Sequence, residues 1–233
     1  MGDGSCQFAH RRRPRNAGQF RLRLSQRFFG ALALGGSGGI VSSGAARLGL
    51  RVGHVGVVGD DAAGRFVLGE LDRRGVDIAW CRVDPSTPTG VTVALSRGDD
   101  RAMLTFQGTT AVLHATDVPA AALERARHVH ISSFYLQDGL RNGAAELLSL
   151  ARAAGATTSL DCGWDPRDEW AGGLDAVLAA TDLFFPNAVE ARRIARIVSR
   201  ARSSVAWATI SPSSAALSVS VTQDIATTSY STA

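Results

Sequence analysis

Lysine is missing from this chain: all 25 of its basic residues are arginine. Chemistry that needs a primary amine, whether as a Schiff base or as the lysine of a Walker A phosphate loop, is therefore excluded. Cysteine is almost as scarce. Cys6, Cys81 and Cys162 are odd in number and far apart, and they match neither a disulfide framework nor a zinc spacing. A reducing, cytoplasmic setting is expected. No apolar run approaches the roughly 18 residues of a membrane helix, so no membrane partner is expected either. The Arg-rich start followed by Phe28, Phe29, Ala31, Leu32, Ala33 and Leu34 has the outline of an export signal. Its apolar part is short, however, and runs directly into a glycine-rich motif, which argues against that reading.

What is present is enough for one α/β domain: 233 residues, 45% hydrophobic and 20% charged, can bury a substantial core. The formal charge of +4 conceals an asymmetry. Residues 1–30 carry seven Arg and one Asp, residues 191–233 five Arg and one Asp, and residues 31–190 hold 13 Arg against 19 acids. The basic character belongs to the ends. It is poor support for nucleic-acid binding, and no nucleic-acid partner is expected.

From Gly36 onward, short β-rich runs alternate with helical ones, the pattern of βαβ units around a mainly parallel sheet. The periodicity predicts a helix over 38–48 ended by Gly49, a buried strand over 52–58, and an amphipathic helix over 63–74. That second helix gathers Phe66, Val67, Leu68 and Leu71 on one side and is closed by Gly75. Residues 76–106 break the rhythm with three short strand-like runs, near 78–83, 90–95 and 102–106, separated by turn residues; a small antiparallel flap fits them. Strands over 128–132, 157–161 and 183–185 then alternate with helices over 139–154, 174–179 and 189–197. Beyond Arg200 the composition turns to Ser, Thr and Ala, and Asp224 is the one charged residue of 203–233. Arg, Asn and Gln dominate 1–27. Neither end predicts a packed element, so the chain divides into a basic stretch, 1–30, a domain, 31–200, and a Ser/Thr/Ala-rich tail, 201–233, with both ends expected to be disordered or non-native.

Two local motifs carry chemistry. Gly35-Gly36-Ser37-Gly38-Gly39 opens a helix, where free backbone N–H groups and absent side chains let a polar ligand approach; a simple flexible turn is an equal reading. Asn187 and Glu190 lie three apart where a strand enters a helix. That spacing suits a helix-capping pair. His128 and His130 share a strand face but lack a third ligand nearby, so a metal site is rejected.

Taken in order, Gly35-Gly36, Ala45-Ala46-Arg47-Leu48-Gly49, Val55-Gly56-Val57-Val58-Gly59-Asp60-Asp61, Pro88-Thr89-Gly90-Val91-Thr92, Phe106-Gln107-Gly108-Thr109, Asp161-Cys162-Gly163-Trp164-Asp165-Pro166 and Pro186-Asn187-Ala188-Val189-Glu190 resemble the PfkB-type (ribokinase-like) carbohydrate kinases over roughly 31–197. The resemblance implies a ribokinase-like three-layer α/β sandwich with a mainly parallel sheet and a β-lid at 76–106, incomplete at both ends. It also implies ATP and Mg2+ as cofactors, a sugar as the small-molecule substrate, and pairing of two copies through the lid. Gly35, Gly36, Ser37 and Ser133 are assigned to the sugar, with Ser132 and Tyr135 as neighbours; Ser132, Ser133 and Tyr135 equally suit a plain cap at the end of a central strand. Asn187, Glu190 and Asp161 map to the nucleotide and magnesium, and Asp165 to the phosphate side. Ile40 stands where the family usually has an Asn that holds the sugar.

Such kinases complete their site with a Gly-Ala-Gly-Asp turn whose Asp is the base, and no such string occurs in this sequence. No catalytic residue is therefore assigned. The expectation is a sugar kinase by family that is inactive as this chain, a truncated or frame-shifted product, with a non-catalytic sugar-binding or interaction module as the alternative.

Overall fold

The computed structural model describes residues 7–9, 29–97, 100–201, 217–221 and 226–231. In chain order the elements are β1 (Gln7–Ala9), β2 (Phe29–Leu34), α1 (Ser37–Arg47), β3 (Arg51–Gly59), α2 (Ala62–Arg73), β4 (Val76–Asp84), β5 (Val91–Arg97), β6 (Asp100–Phe106), α3 (Ala120–Arg125), β7 (His128–Ile131), α4 (Asp138–Arg141), α5 (Ala144–Ala153), β8 (Thr157–Leu160), α6 (Leu174–Ala179), β9 (Leu183–Phe184), α7 (Ala188–Ala201), β10 (Leu217–Val221) and β11 (Ala226–Ser231).

A six-stranded sheet in the order β4-β3-β10-β7-β8-β9 forms the centre, and every pairing in it is parallel. β3 is buried on both faces, as a central parallel strand must be, and its side chains alternate between two cores. Val52 and Val58 meet Val67 and Leu71 of α2 and Val76 of β4. Val55 and Val57 face the larger core, with Val129, Ile131, Leu148 and Leu160. Helices thus cover both faces, giving three layers.

α2 forms because Asp61 caps it, accepting the Gly64 N–H at 2.7 Å, and because Gly64, Val67 and Leu71 recur along its buried side. Gly75, at φ +78°, then turns the chain in a backbone region open to glycine.

The flap is smaller than the expected 76–106. Val76–Asp84 belongs to the main sheet as β4, a parallel edge strand paired with β3. The reason lies in its burial: Val76 is locked into the α2 core and Ile78 packs against it, so the strand after this crossover helix returns to the sheet. What remains of the flap, β5 and β6, joins a second sheet ordered β1-β6-β5-β11-β2.

The structure also departs from the expectation that the ends carry no packed element. β10 inserts between β3 and β7, with Val219 in register with Gly53 and Val129, and β11 lies between β5 and β2. β1 pairs with β6. The remainder of 1–28 and 202–233 lies outside the described residues. Among the described residues, no helix is long and apolar enough to cross a membrane.

Candidate active site

In an open parallel sheet, ligands bind beyond the carboxyl ends of the strands where strand order changes direction. Here that edge gathers the residue after β8, Asp161, the turn after β7, Ser132-Ser133, the residue before α7, Asn187, and the first turn of α1.

Ser133 is the junction. It adopts φ 49°, ψ 49°, a left-handed conformation uncommon for a residue with a side chain. Several contacts fix it there. The Asp161 carboxylate accepts the Ser133 N–H at 3.2 Å with one oxygen and the Gly163 N–H at 3.0 Å with the other. The N–H groups of Phe134 and Tyr135 donate to the carbonyls of Asp161 and Cys162, each at 3.1 Å. The buried Gln137 amide donates to the Ser132 carbonyl. Gly163, at φ +62°, passes so close that a Cβ there would stand 3.1 Å from Ser133 Cα. Held this way, the Ser133 hydroxyl lies 2.5 Å from that of Ser37, the first residue of α1. Gly35 is buried, and Gly36, at φ 73°, makes the turn that delivers Ser37. The four residues assigned to the sugar from sequence therefore meet at one strand edge. Ile40, in the same first turn of α1, is 61% exposed.

Across the edge, Asn187 and Glu190 cap α7 reciprocally. Asn187 Oδ1 accepts the N–H groups of Val189 and Glu190 at 2.9 and 3.1 Å, while Glu190 accepts the Asn187 N–H at 2.8 Å and its side-chain amide. The buried Cys162 thiol donates to Glu190 at 3.7 Å. Burial pushes that thiol well above its ordinary pKa, and the charges of Glu190 and Asp161 push it further, so it stays protonated. Ligand atoms of Asp161, Cys162 and Glu190 all lie within 4.8 Å of one another. Two carboxylates with a protonated thiol beside them suit a hard, oxygen-seeking divalent cation such as Mg2+. Because Glu190 already serves the Asn187 amide groups, it would reach such a cation through water.

Three neighbours proposed from sequence are not available to a ligand. Asp165 is buried, and its carboxylate accepts the N–H groups of Arg167, Glu169 and Trp170 at 3.0, 2.9 and 2.7 Å, so it shapes the loop after β8 instead of facing phosphate. Ser132 is fully buried. Tyr135 packs edge-on between Phe134 and Trp170.

One group escaped the sequence reading. Asp61, besides capping α2, accepts the Thr89 N–H at 2.7 Å and its hydroxyl at 2.8 Å, and Thr89 Oγ1 in turn accepts the Gly59 N–H at 2.8 Å. The Thr109 N–H donates to the Pro88 carbonyl at 2.9 Å. Both roots of the flap are thereby clamped to the end of β3. Asp before a helix with glycine three residues on was the available signal.

Against this geometry the comparisons are decisive: the model of the pfkB family carbohydrate kinases matches residues 30–216. The chain belongs to that family. Among curated relatives of this pfkB chain, a 2-dehydro-3-deoxygluconokinase of Bacillus subtilis is 27% identical over 67% of this chain and 52% of its own length. An ATP-dependent ribose-1-phosphate kinase of Halopiger xanaduensis is 31% identical over 76% of this chain and 55% of its own. The chain spans about half the length of the curated relatives it matches. Among solved structures, a PfkB protein from Polaromonas sp. JS666 superimposes with TM-score 0.62 at 24% identity, covering 72% of this chain and 67% of that one. The ATP-bound fructokinase of Xylella fastidiosa gives 0.64 at 21%, covering 71% and 55%. At these identities the structural likeness carries the ribokinase-like fold.

Proposed function

We propose that this chain carries the acceptor-facing and cation-facing residues of an ATP-dependent sugar kinase, and that by itself it does not turn over. The observation that carries the reading is the meeting of the Ser37–Ser133 junction, Asp161 and the Asn187–Glu190 pair at one edge of a pfkB-family sheet. Gly35, Gly36, Ser37 and Ser133 would bind and orient a sugar, and the flap rooted at Asp61 would exclude water from it. Asn187 and Glu190 would order water around the cation. Bound ATP with Mg2+ would supply the phosphoryl group and spread its developing charge.

The sequence has no Gly-Ala-Gly-Asp turn to take the hydroxyl proton and to hold the transferring group with backbone N–H donors. Each of those contributions is worth a factor of about 10² to 10⁴. That missing string beside an assembled serine junction favours a second reading, a non-catalytic sugar-binding module.

Sugar-dependent release of ADP from Mg·ATP should stay at background with D-fructose, D-ribose or 2-dehydro-3-deoxygluconate at any pH. Turnover abolished by Asn187→Ala and by Glu190→Ala would overturn the inactivity. Calorimetric titration with the same sugars decides the rest, since a chain that binds none of them has no acceptor site.

A further inference from the structure

We infer that Asp161 is a positioning residue for the carbohydrate acceptor, acting through Ser133 to preset a pair of hydroxyls; the inference rests on the sugar-kinase reading. Both Asp161 oxygens are engaged on that side, one by the Ser133 N–H at 3.2 Å and the other by the Gly163 N–H at 3.0 Å. Without the carboxylate, the Ser133 N–H would lose its acceptor, and the neighbouring contacts alone would have to keep a backbone conformation, φ 49°, that a serine does not otherwise prefer. The carbonyl of the same residue takes the Phe134 N–H, so Asp161 grips the turn at two successive amides.

The consequence is the 2.5 Å contact between the hydroxyls of Ser133 and Ser37, residues that enter the site from different elements. Of their two hydroxyl protons, one is spent within the pair. The other proton and the remaining lone pairs are left for a ligand. A sugar hydroxyl, which donates and accepts at once, is the complement of that arrangement. A phosphate is not: it only accepts, and the Asp161 charge beneath Ser133 opposes an anion there. Asp161 therefore serves a neutral hydroxyl of the acceptor, although Glu190 stands within 4.8 Å.

The test uses the whole chain and whichever of D-fructose, D-ribose and 2-dehydro-3-deoxygluconate it binds most tightly, with affinity from calorimetry and melting temperature recorded alongside. Asp161→Ala should weaken the sugar about 10- to 100-fold, the loss of charge-assisted hydrogen bonds, and Asp161→Asn, which keeps an acceptor oxygen for the Ser133 N–H, should recover it to within about 5-fold of wild type. Ser133→Gly eases the left-handed turn, so its melting temperature should not fall, yet without the hydroxyl its affinity should drop about 10-fold. Wild-type affinity in Asp161→Ala or in Ser133→Gly overturns the inference alone. Absence of any sugar binding by the wild-type chain overturns the inference and the acceptor site together.

Discussion

Acidification should destabilise this protein through His130 before its carboxylates titrate. The proton positions around that ring can be worked out from the hydrogen bonds. Thr157 gives its hydroxyl proton to the Arg127 carbonyl at 3.2 Å, so at their 2.8 Å contact His128 Nδ1 must be the donor. Neutral His128 then has a bare Nε2, which takes the Ser159 hydroxyl proton at 2.6 Å. Ser159 Oγ can only accept from His130 Nδ1 at 2.7 Å. The remaining His130 nitrogen, Nε2, is buried without a hydrogen-bond partner, and the ring sits near Phe185. A second proton on His130 would thus land where no acceptor exists, and burial, with a smaller contribution from His128, pushes its pKa down to about 4. In the unfolded chain the same ring titrates near 6.5. The folded pKa is the lower one, so the stability is intact above pH 6.5 and is lost as pH falls from 6.5 toward 4, because only the unfolded chain gains the proton in that window. At about 1.4 kcal/mol per unit, acidification from pH 7 to 4.5 should remove roughly 2–3 kcal/mol. Urea unfolding at half-unit pH steps measures this directly. His130→Phe should flatten the profile between pH 6.5 and 4.5; a slope as steep as in wild type would refute the proton assignment.

The flap root offers further tests. Asp61→Ala removes a helix cap and strands the Thr89 N–H, and should lower unfolding stability by about 2–4 kcal/mol in chemical denaturation. Burial raises the Asp61 pKa, but the N–H groups of Gly64 and Thr89 and the Thr89 hydroxyl outweigh it and hold the carboxyl below its usual 3.8. Its contribution should therefore vanish only below about pH 4, a window separable from that of His130. Two glycines of α2 should respond with opposite signs. A Cβ at Gly64 would stand 2.2 Å from the Gly59 carbonyl, whereas one at Gly69 meets nothing within 4 Å. Gly64→Ala should cost about 2 kcal/mol or more, and Gly69→Ala should raise stability by about 0.5–1 kcal/mol; equal melting temperatures for the two would contradict the packing.

Elements whose cause is local were legible in the sequence. α6 begins and ends where its apolar residues predict, and α2 shifts by one residue because its cap and its closing glycine both lie in the string. Elements whose cause is distant were not. The helix expected over 139–154 is interrupted at Asn142-Gly143, where α4 ends and α5 begins. A Cβ at Gly143 would strike Ala115 at 2.5 Å, a contact invisible to periodicity. Residues 29–34 were weighed as the end of a signal-like stretch, yet they pair with β11, a partner nearly 200 residues away. The alternating Leu217-Ser218-Val219-Ser220-Val221 was itself a strand signal, outvoted by the composition around it.

The site divides along the same line. Asn187 and Glu190, three residues apart, are joined within one helical turn, and their spacing admitted the capping reading while the resemblance added the cation-ordering one; the geometry supplies the first without forbidding the second. The serine junction spans 96 residues, and no spacing rule reaches that far. Its assignment came from resemblance, while its mechanical basis came only from the fold: a carboxylate at the end of β8 reaching the backbone at the end of β7. Adjacent parallel strands in register, Ile131 opposite Leu160, bring the residues after them into contact, so the side chain that follows one strand can set the main chain that follows the other. This is why the resemblance could place Asp161 at the nucleotide and magnesium without showing that its two oxygens also accept the amides of Ser133 and Gly163. A carboxylate's identity is visible in a sequence, but the groups that claim its lone pairs are fixed by sheet register.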